Sequence, residues 1–252
     1  MPPSALLPAG PPPGFPKCAR CPYYRTGPAR ICVVCARRTF ERIAPDACPT
    51  CSQQLEDDGS CPNWLCQDPR RRISRIHAIA YQSGALQQVI NNYKYGDARS
   101  WSVIFGRLVL GWLELNALRD PPDLIVVNPT YTGPGGRAFA HAEIVLQRAE
   151  KEDVSRRWPF DLRNPRAIVK TRATAQSANA TAKAKRAAAG ELRSALAIPD
   201  PARTAGRRVL VYDDVCTTAS QLNAVADCLL AEGGAARVEA LVLARAPWRR
   251  RT

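Results

Sequence analysis

Taken as a pattern of apolar and polar positions, the second half of the chain alternates short apolar runs with segments of helical period. Leu124-Ile125-Val126-Val127 and Val209-Leu210-Val211-Tyr212 are uninterrupted apolar runs of strand length, and Val238 to Ala244, apolar apart from Glu239, supplies a last strand. Strands buried on both faces of a parallel sheet read this way. Ala167-Ile168-Val169 predicts a further short strand, and a helix is expected from about Ala138 to Glu150. Leu222, Val225, Ala226, Leu229 and Leu230 recur at helical spacing until Gly233-Gly234 ends that helix. From Ile76 to Leu118 the spacing is mostly helical, broken at Tyr93-Lys94-Tyr95-Gly96-Asp97, which predicts two helices around a turn with His77 on the first. Strands alternating with helices predict an α/β fold, a mostly parallel sheet flanked by helices. Thr171 to Arg193 is rich in Ala, Lys, Arg, Thr and Gln. It reads either as a flap that orders over a ligand or as an exposed alanine-rich helix.

The first 75 residues break the pattern. Residues 1–16 hold seven prolines and predict a disordered or polyproline-like tail. Four cysteine pairs follow, Cys18/Cys21, Cys32/Cys35, Cys48/Cys51 and Cys61/Cys66. A Cys-x-x-Cys turn points two thiolates at one centre, and two such pairs complete a tetrahedral zinc site. The expectation is therefore a small double zinc-knuckle module over residues 17–67 carrying two structural Zn2+. Sequential pairing closes the shortest loops, and an interleaved cross-brace is the alternative. Arg20, Arg25, Arg30, Arg37 and Arg38, with Tyr23, Tyr24 and Phe40, suit a single-stranded nucleic-acid platform or a solvated basic surface equally. Asp68 to Arg75 reads as a charged linker, and residues 76–252 as the α/β domain.

Composition changes this picture little. A net charge of +14 suggests an anionic partner such as nucleic acid, a phosphorylated sugar or pyrophosphate. Binding two zinc ions through eight thiolates would leave roughly +10. Met1-Pro2-Pro3-Ser4 lacks the charged and apolar regions of a signal peptide, so the ten cysteines are expected to be reduced and the protein cytoplasmic. The longest apolar segment, Trp101 to Leu115, is interrupted by Arg107 and Glu114 and is too short to span a bilayer.

The candidate chemistry lies in Asp213-Asp214-Val215-Cys216-Thr217-Thr218-Ala219-Ser220-Gln221, between a strand and a helix. Ligands of open α/β sheets bind at the carboxyl ends of strands. The unpaired N–H groups and positive dipole end of the following helix suit a phosphate, helped by Thr217, Thr218 and Ser220. Asp213 and Asp214 would repel that phosphate and suit instead the two hydroxyls of a ribose. The same residues would also serve a plain strand end followed by a capped helix.

This stretch resembles the signature loop of the type I phosphoribosyltransferases, with Ala219 where that family usually has glycine and Gln221 in place of a terminal hydroxyl residue. The order of elements narrows the resemblance. The cysteine module, Tyr93-Lys94-Tyr95-Gly96-Asp97, Asp123-Leu124-Ile125-Val126, Arg137-Ala138-Phe139-Ala140-His141-Ala142, Thr171-Arg172-Ala173-Thr174-Ala175-Gln176 and the acidic loop occur as in the ComF family of competence-associated phosphoribosyltransferase-like proteins. That family typically carries four zinc cysteines, and eight are present here. The resemblance implies binding of phosphoribosyl pyrophosphate (PRPP), or another ribose 5-phosphate compound, with Mg2+, and transfer of phosphoribosyl to an acceptor. It implies pyrophosphate or flap contacts from Asn128, Lys94 and Arg172. The alternative it leaves open is a zinc-stapled accessory that binds single-stranded DNA during uptake, with a partner in the competence machinery and a vestigial transferase site.

Overall fold

The computed structural model describes residues 29–96, 98–174 and 182–248. A four-stranded parallel sheet in the order β1-β6-β5-β2 organises them. Its strands are β1 (Arg75–Tyr81), β2 (Leu124–Val127), β5 (Arg208–Cys216) and β6 (Arg237–Arg245). The helices are α1 (Arg30–Thr39), α2 (Gly84–Tyr95), α3 (Trp101–Asn116), α4 (His141–Glu152), α5 (Ala182–Ser194) and α6 (Ser220–Ala231). Two short strands, β3 (Val169–Lys170) and β4 (Leu196–Ala197), form a separate antiparallel pair. Among the described residues no helix is long and apolar enough to cross a membrane.

The predicted α/β class and its mostly parallel sheet are what is found. The unbroken apolar runs arise because both faces of the sheet are covered. On one face, Ile125, Val127, Leu210, Tyr212, Leu241 and Leu243 pack with α1, α2, α3 and α4. On the other, Leu124, Val126, Val209, Val211, Val238 and Val242 pack with α6, Leu192 of α5 and the segment holding Cys48 and Cys51. The cysteine-bearing residues are thus divided: Cys32 belongs to the first core and Cys48 and Cys51 to the second.

Two expectations fail. Residues 75–81 form a strand, not the start of a helix, and His77 sits on it with its Nε2 3.1 Å from Glu239 of β6. Ile76, Ile79, Ala80 and Tyr81 are all buried because an edge strand covered on both faces is apolar on both, and that set mimics helical spacing. The open edge of β6, which pairs with β1 from Glu239 to Arg245, decides the matter. Likewise Ala167-Ile168-Val169 does not join the parallel sheet. The neighbour of β2 is the segment at Phe160, bridged to Ile125, while Val169 and Lys170 turn away to pair with β4. Of the Thr171–Arg193 segment, the described part from Ala182 onward is helical, the second of the two readings.

Candidate functional site

From β2 the sheet continues to one side, toward Phe160, and from β5 to the other, toward β6. The carboxyl ends of β2 and β5 therefore flank a topological switch point, where open α/β sheets form ligand crevices. β2 ends at Val127, opposite Tyr212, whereas β5 stays paired with β6 as far as Cys216. Asp213 and Asp214 consequently belong to the strand itself, held by β6 and projecting past the end of β2. The sequence suggested a turn there.

Because strand side chains alternate, the two carboxylates meet different partners. Asp214, on the side of Tyr212, accepts a 2.7 Å hydrogen bond from Lys94 Nζ in the last turn of α2. Asp213 accepts one at 2.7 Å from Asn128 Nδ2, in the residue that follows β2, and one at 2.8 Å from the Asp214 N–H. Lys94 and Asn128, named from sequence as ligand contacts, are thus both brought to the acidic pair. Arg172 is not: its guanidinium engages Ser194 Oγ at 2.8 Å and Glu191 at 3.5 Å beside α5.

One lysine cannot neutralise two crowded carboxylates, and the pair divides its charge accordingly. Burial opposes the Asp214 anion, but Lys94, joined by Arg137, holds the carboxyl below its ordinary range. Burial, and then the charge of Asp214, push Asp213 up to about 7. Above the pair stands a hood whose chemistry the sequence reading left out. Arg137 Nη1 lies 2.9 Å from His141 Nε2, and the Arg137 cation adds positive potential at Asp214. Burial presses His141 down to about 4, so near neutrality it is uncharged and accepts from Arg137. Tyr93 donates to the His141 carbonyl at 2.8 Å and meets Phe105 and Phe139 edge-on, anchoring α2 against the core. The Arg-x-Phe element was the sequence signal for this hood.

Past Cys216 the chain turns into α6 through Thr217, Thr218 and Ala219. Ala219 has φ 64° and ψ 3°, the left-handed conformation that glycine adopts freely and alanine only at a cost of about 1–2 kcal/mol. The turn leaves Thr217 exposed and sets Thr218 Oγ1 2.9 Å from Ser220 Oγ at the N-terminus of α6. Val215 is half-buried and Gln221 exposed. The hydroxyls meet the N-terminal end of α6, a place suited to an anion.

A second constellation lies on the α6 side of the sheet. Cys48, Cys51, Cys61 and Cys66 gather with their sulfurs all within 4.8 Å of one another. Cys48 and Cys66 are 3.8 Å apart, and Cys51 and Cys61 3.7 Å. Four sulfurs around a tetrahedral zinc at 2.3 Å would be spaced by about 3.8 Å. The donor set therefore fits a metal such as zinc, with the pairing that joins the last two knuckles. Cys32 and Cys35 lie on α1, on the opposite face of the sheet, where Arg107 Nε approaches Cys32 Sγ at 3.2 Å. Cys18 and Cys21 lie outside the described residues.

Fold, acidic strand end and helix N-terminus define the class of the phosphoribosyltransferase-like proteins, and residues 133–251 match the phosphoribosyl transferase domain family. The relatives run along nearly the whole chain. The DNA utilization protein YhgH of Escherichia coli (strain K12) is 28% identical over 212 residues, spanning 82% of this chain and 86% of that protein. Its counterpart in Shigella flexneri is 28% identical over 221 residues, 85% of this chain and 90% of its own length. The chain is thus similar over most of its length to these DNA utilization proteins and matches the phosphoribosyl transferase domain over its second half, with a cysteine cluster in its N-terminal region.

Proposed function

We propose that the protein binds PRPP, or a related ribose 5-phosphate compound, at the carboxyl ends of β2 and β5. The observation that carries this reading is the acidic pair held beside a left-handed loop at a helix N-terminus, with Lys94 and Asn128 delivered to it by two other elements. In the proposed complex the 5-phosphate takes the amides of residues 217–221 and the hydroxyls of Thr217, Thr218 and Ser220. Two ribose hydroxyls donate to Asp213 and Asp214. A hydroxyl donor suits Asp213 in particular, because a hydrogen bond to its anion offsets part of the cost of burial. Lys94, Asn128 and Arg137 stand on the side where pyrophosphate would lie. Mg2+ would come with the pyrophosphate, keeping several waters, and would offset the excess negative charge there.

Phosphoribosyl transfer requires that the same carboxylates stabilise a developing cation at C1. The acceptor is not specified by any group in the crevice. The second reading, binding of single-stranded DNA, draws on the name that the relatives carry, DNA utilization protein. Calorimetric titration with PRPP and Mg2+ tests the first reading. Saturable binding is expected for the zinc-loaded protein and none for a folded Asp213→Asn, Asp214→Asn double variant. Equal binding by both would refute it. The second reading expects affinity for single strands that falls steeply with salt.

A further inference from the structure

Arg245, the last residue of β6, has no solvent exposure and connects the two constellations. Its register partner across the sheet is Cys216. One guanidinium nitrogen, Nη1, donates to the Cys216 carbonyl at 2.9 Å, lies 3.3 Å from its sulfur, and donates to the Thr217 carbonyl. The other, Nη2, points to Cys51 Sγ at 3.8 Å. Nε is buried with no partner. A guanidinium with no carboxylate in contact is costly to bury unless an anion faces it. Four thiolates around a divalent metal would carry a net charge of about −2 and would supply that anion. The two carbonyls that Arg245 holds begin the turn into left-handed Ala219, so the position of the guanidinium sets where the loop starts.

We infer that Arg245 is a positioning residue through which the metal-thiolate centre holds the phosphate loop, so that binding of metal and of ribose phosphate are coupled. The inference rests on the ribose-phosphate reading for its ligand, but its structural half does not. With metal bound, the thiolates fix Nη2 and Nη1 fixes the loop. Without metal, the four sulfurs are no longer held to one centre, so Nη2 loses its fixed partner at Cys51 and the hold of Nη1 on the Cys216 and Thr217 carbonyls loosens. By linkage the effect must run both ways: ribose phosphate must tighten metal to the factor by which metal tightens ribose phosphate. A coupling of about tenfold is expected, within the usual range of roughly 5- to 150-fold.

The test is hydrogen–deuterium exchange of the full chain, following the peptide over residues 215–222, with α3 as the reference for an intact fold. Three samples are compared: zinc-loaded wild type, chelator-treated wild type, and zinc-loaded Arg245→Lys, which keeps a charge but cannot reach both sides. Faster loop exchange is expected in the last two, with α3 unchanged. A loop equally protected in all three overturns the inference. Should chelation also open α3, loaded Arg245→Lys decides alone, and wild-type protection of its loop overturns the inference.

The ligand half is read as zinc transfer to a chromophoric chelator with and without PRPP and Mg2+. PRPP is expected to weaken transfer about tenfold in wild type and not in Arg245→Lys. Binding of PRPP with no change in zinc transfer refutes the coupling. If wild type binds no PRPP at all, the ribose-phosphate reading falls, and loop exchange still decides whether Arg245 links loop and metal.

Discussion

Replacing Asp213 by Asn removes one of two carboxylates crowded at the end of β5, and the effect on stability should depend on pH. An unfolded Asp titrates near 3.8, while in the fold burial and Asp214 push Asp213 up to about 7. Between those values the folded protein holds the proton that the unfolded chain has released. The contribution of Asp213 to stability is therefore present in full below about 3.8 and is lost as pH rises through about 7. At about 1.4 kcal/mol per tenfold change in proton affinity, the full loss is about 4 kcal/mol. Asp213 is partly solvent-accessible, and screening reduces this to roughly 2 kcal/mol. Asn cannot ionise, so the variant lacks this slope. It loses one acceptor for the Asn128 amide or the Asp214 N–H, a penalty of about 1 kcal/mol that does not vary with pH. The assay is urea unfolding of zinc-loaded wild type and Asp213→Asn at pH 5, 6, 7 and 8. Because pH 5 already lies above 3.8, the series spans about two thirds of that loss, and the variant should gain about 1 kcal/mol on wild type between its ends. His141, held down to about 4, contributes a slope of opposite sign below its ordinary 6.5, and this cancels in the comparison. A difference that is flat with pH, or that moves toward wild type, would refute the placement of Asp213 as a buried, crowded carboxylate.

Lys94→Met leaves Asp214 buried without its cation and should cost about 3 kcal/mol in urea unfolding, with Lys94→Met, Asp214→Asn recovering much of that loss; no recovery would show that Lys94 acts by packing alone. Ala219→Val puts a β-branched residue at φ 64° and should destabilise by about 2 kcal/mol or more, while Ala219→Gly should stay within about 1 kcal/mol of wild type, relief of strain being offset by glycine's freedom in the unfolded chain. Cys61→Ser should lower the zinc bound per chain, read by elemental analysis, and lower the thermal midpoint; an unchanged zinc content would remove Cys61 from the metal set.

Some of the physical signals in this chain are local. Apolar runs at 124–127, 209–212 and 240–244 declared buried parallel strands because burial on two faces imposes that pattern without reference to any partner. The gathering of the acidic pair and a hydroxyl-rich loop at the end of a strand was legible, since these residues follow one another directly in the chain. Cysteine spacing foretold the gathering of Cys48, Cys51, Cys61 and Cys66 because a short knuckle brings its own two ligands together. Other features were invisible for one shared reason: they depend on residues that meet only through the sheet. Strand β1 mimicked a helix until β6 required an edge partner. Arg245 looked like the end of a strand, and only the parallel register of β5 and β6, with the cysteine segment packed beneath, turned it into a buried cation between Cys51 and Thr217. The unequal charges of Asp213 and Asp214 were likewise set by tertiary placement, because desolvation and the reach of Lys94 and Arg137 are properties of position in the fold, which adjacent identical residues do not share.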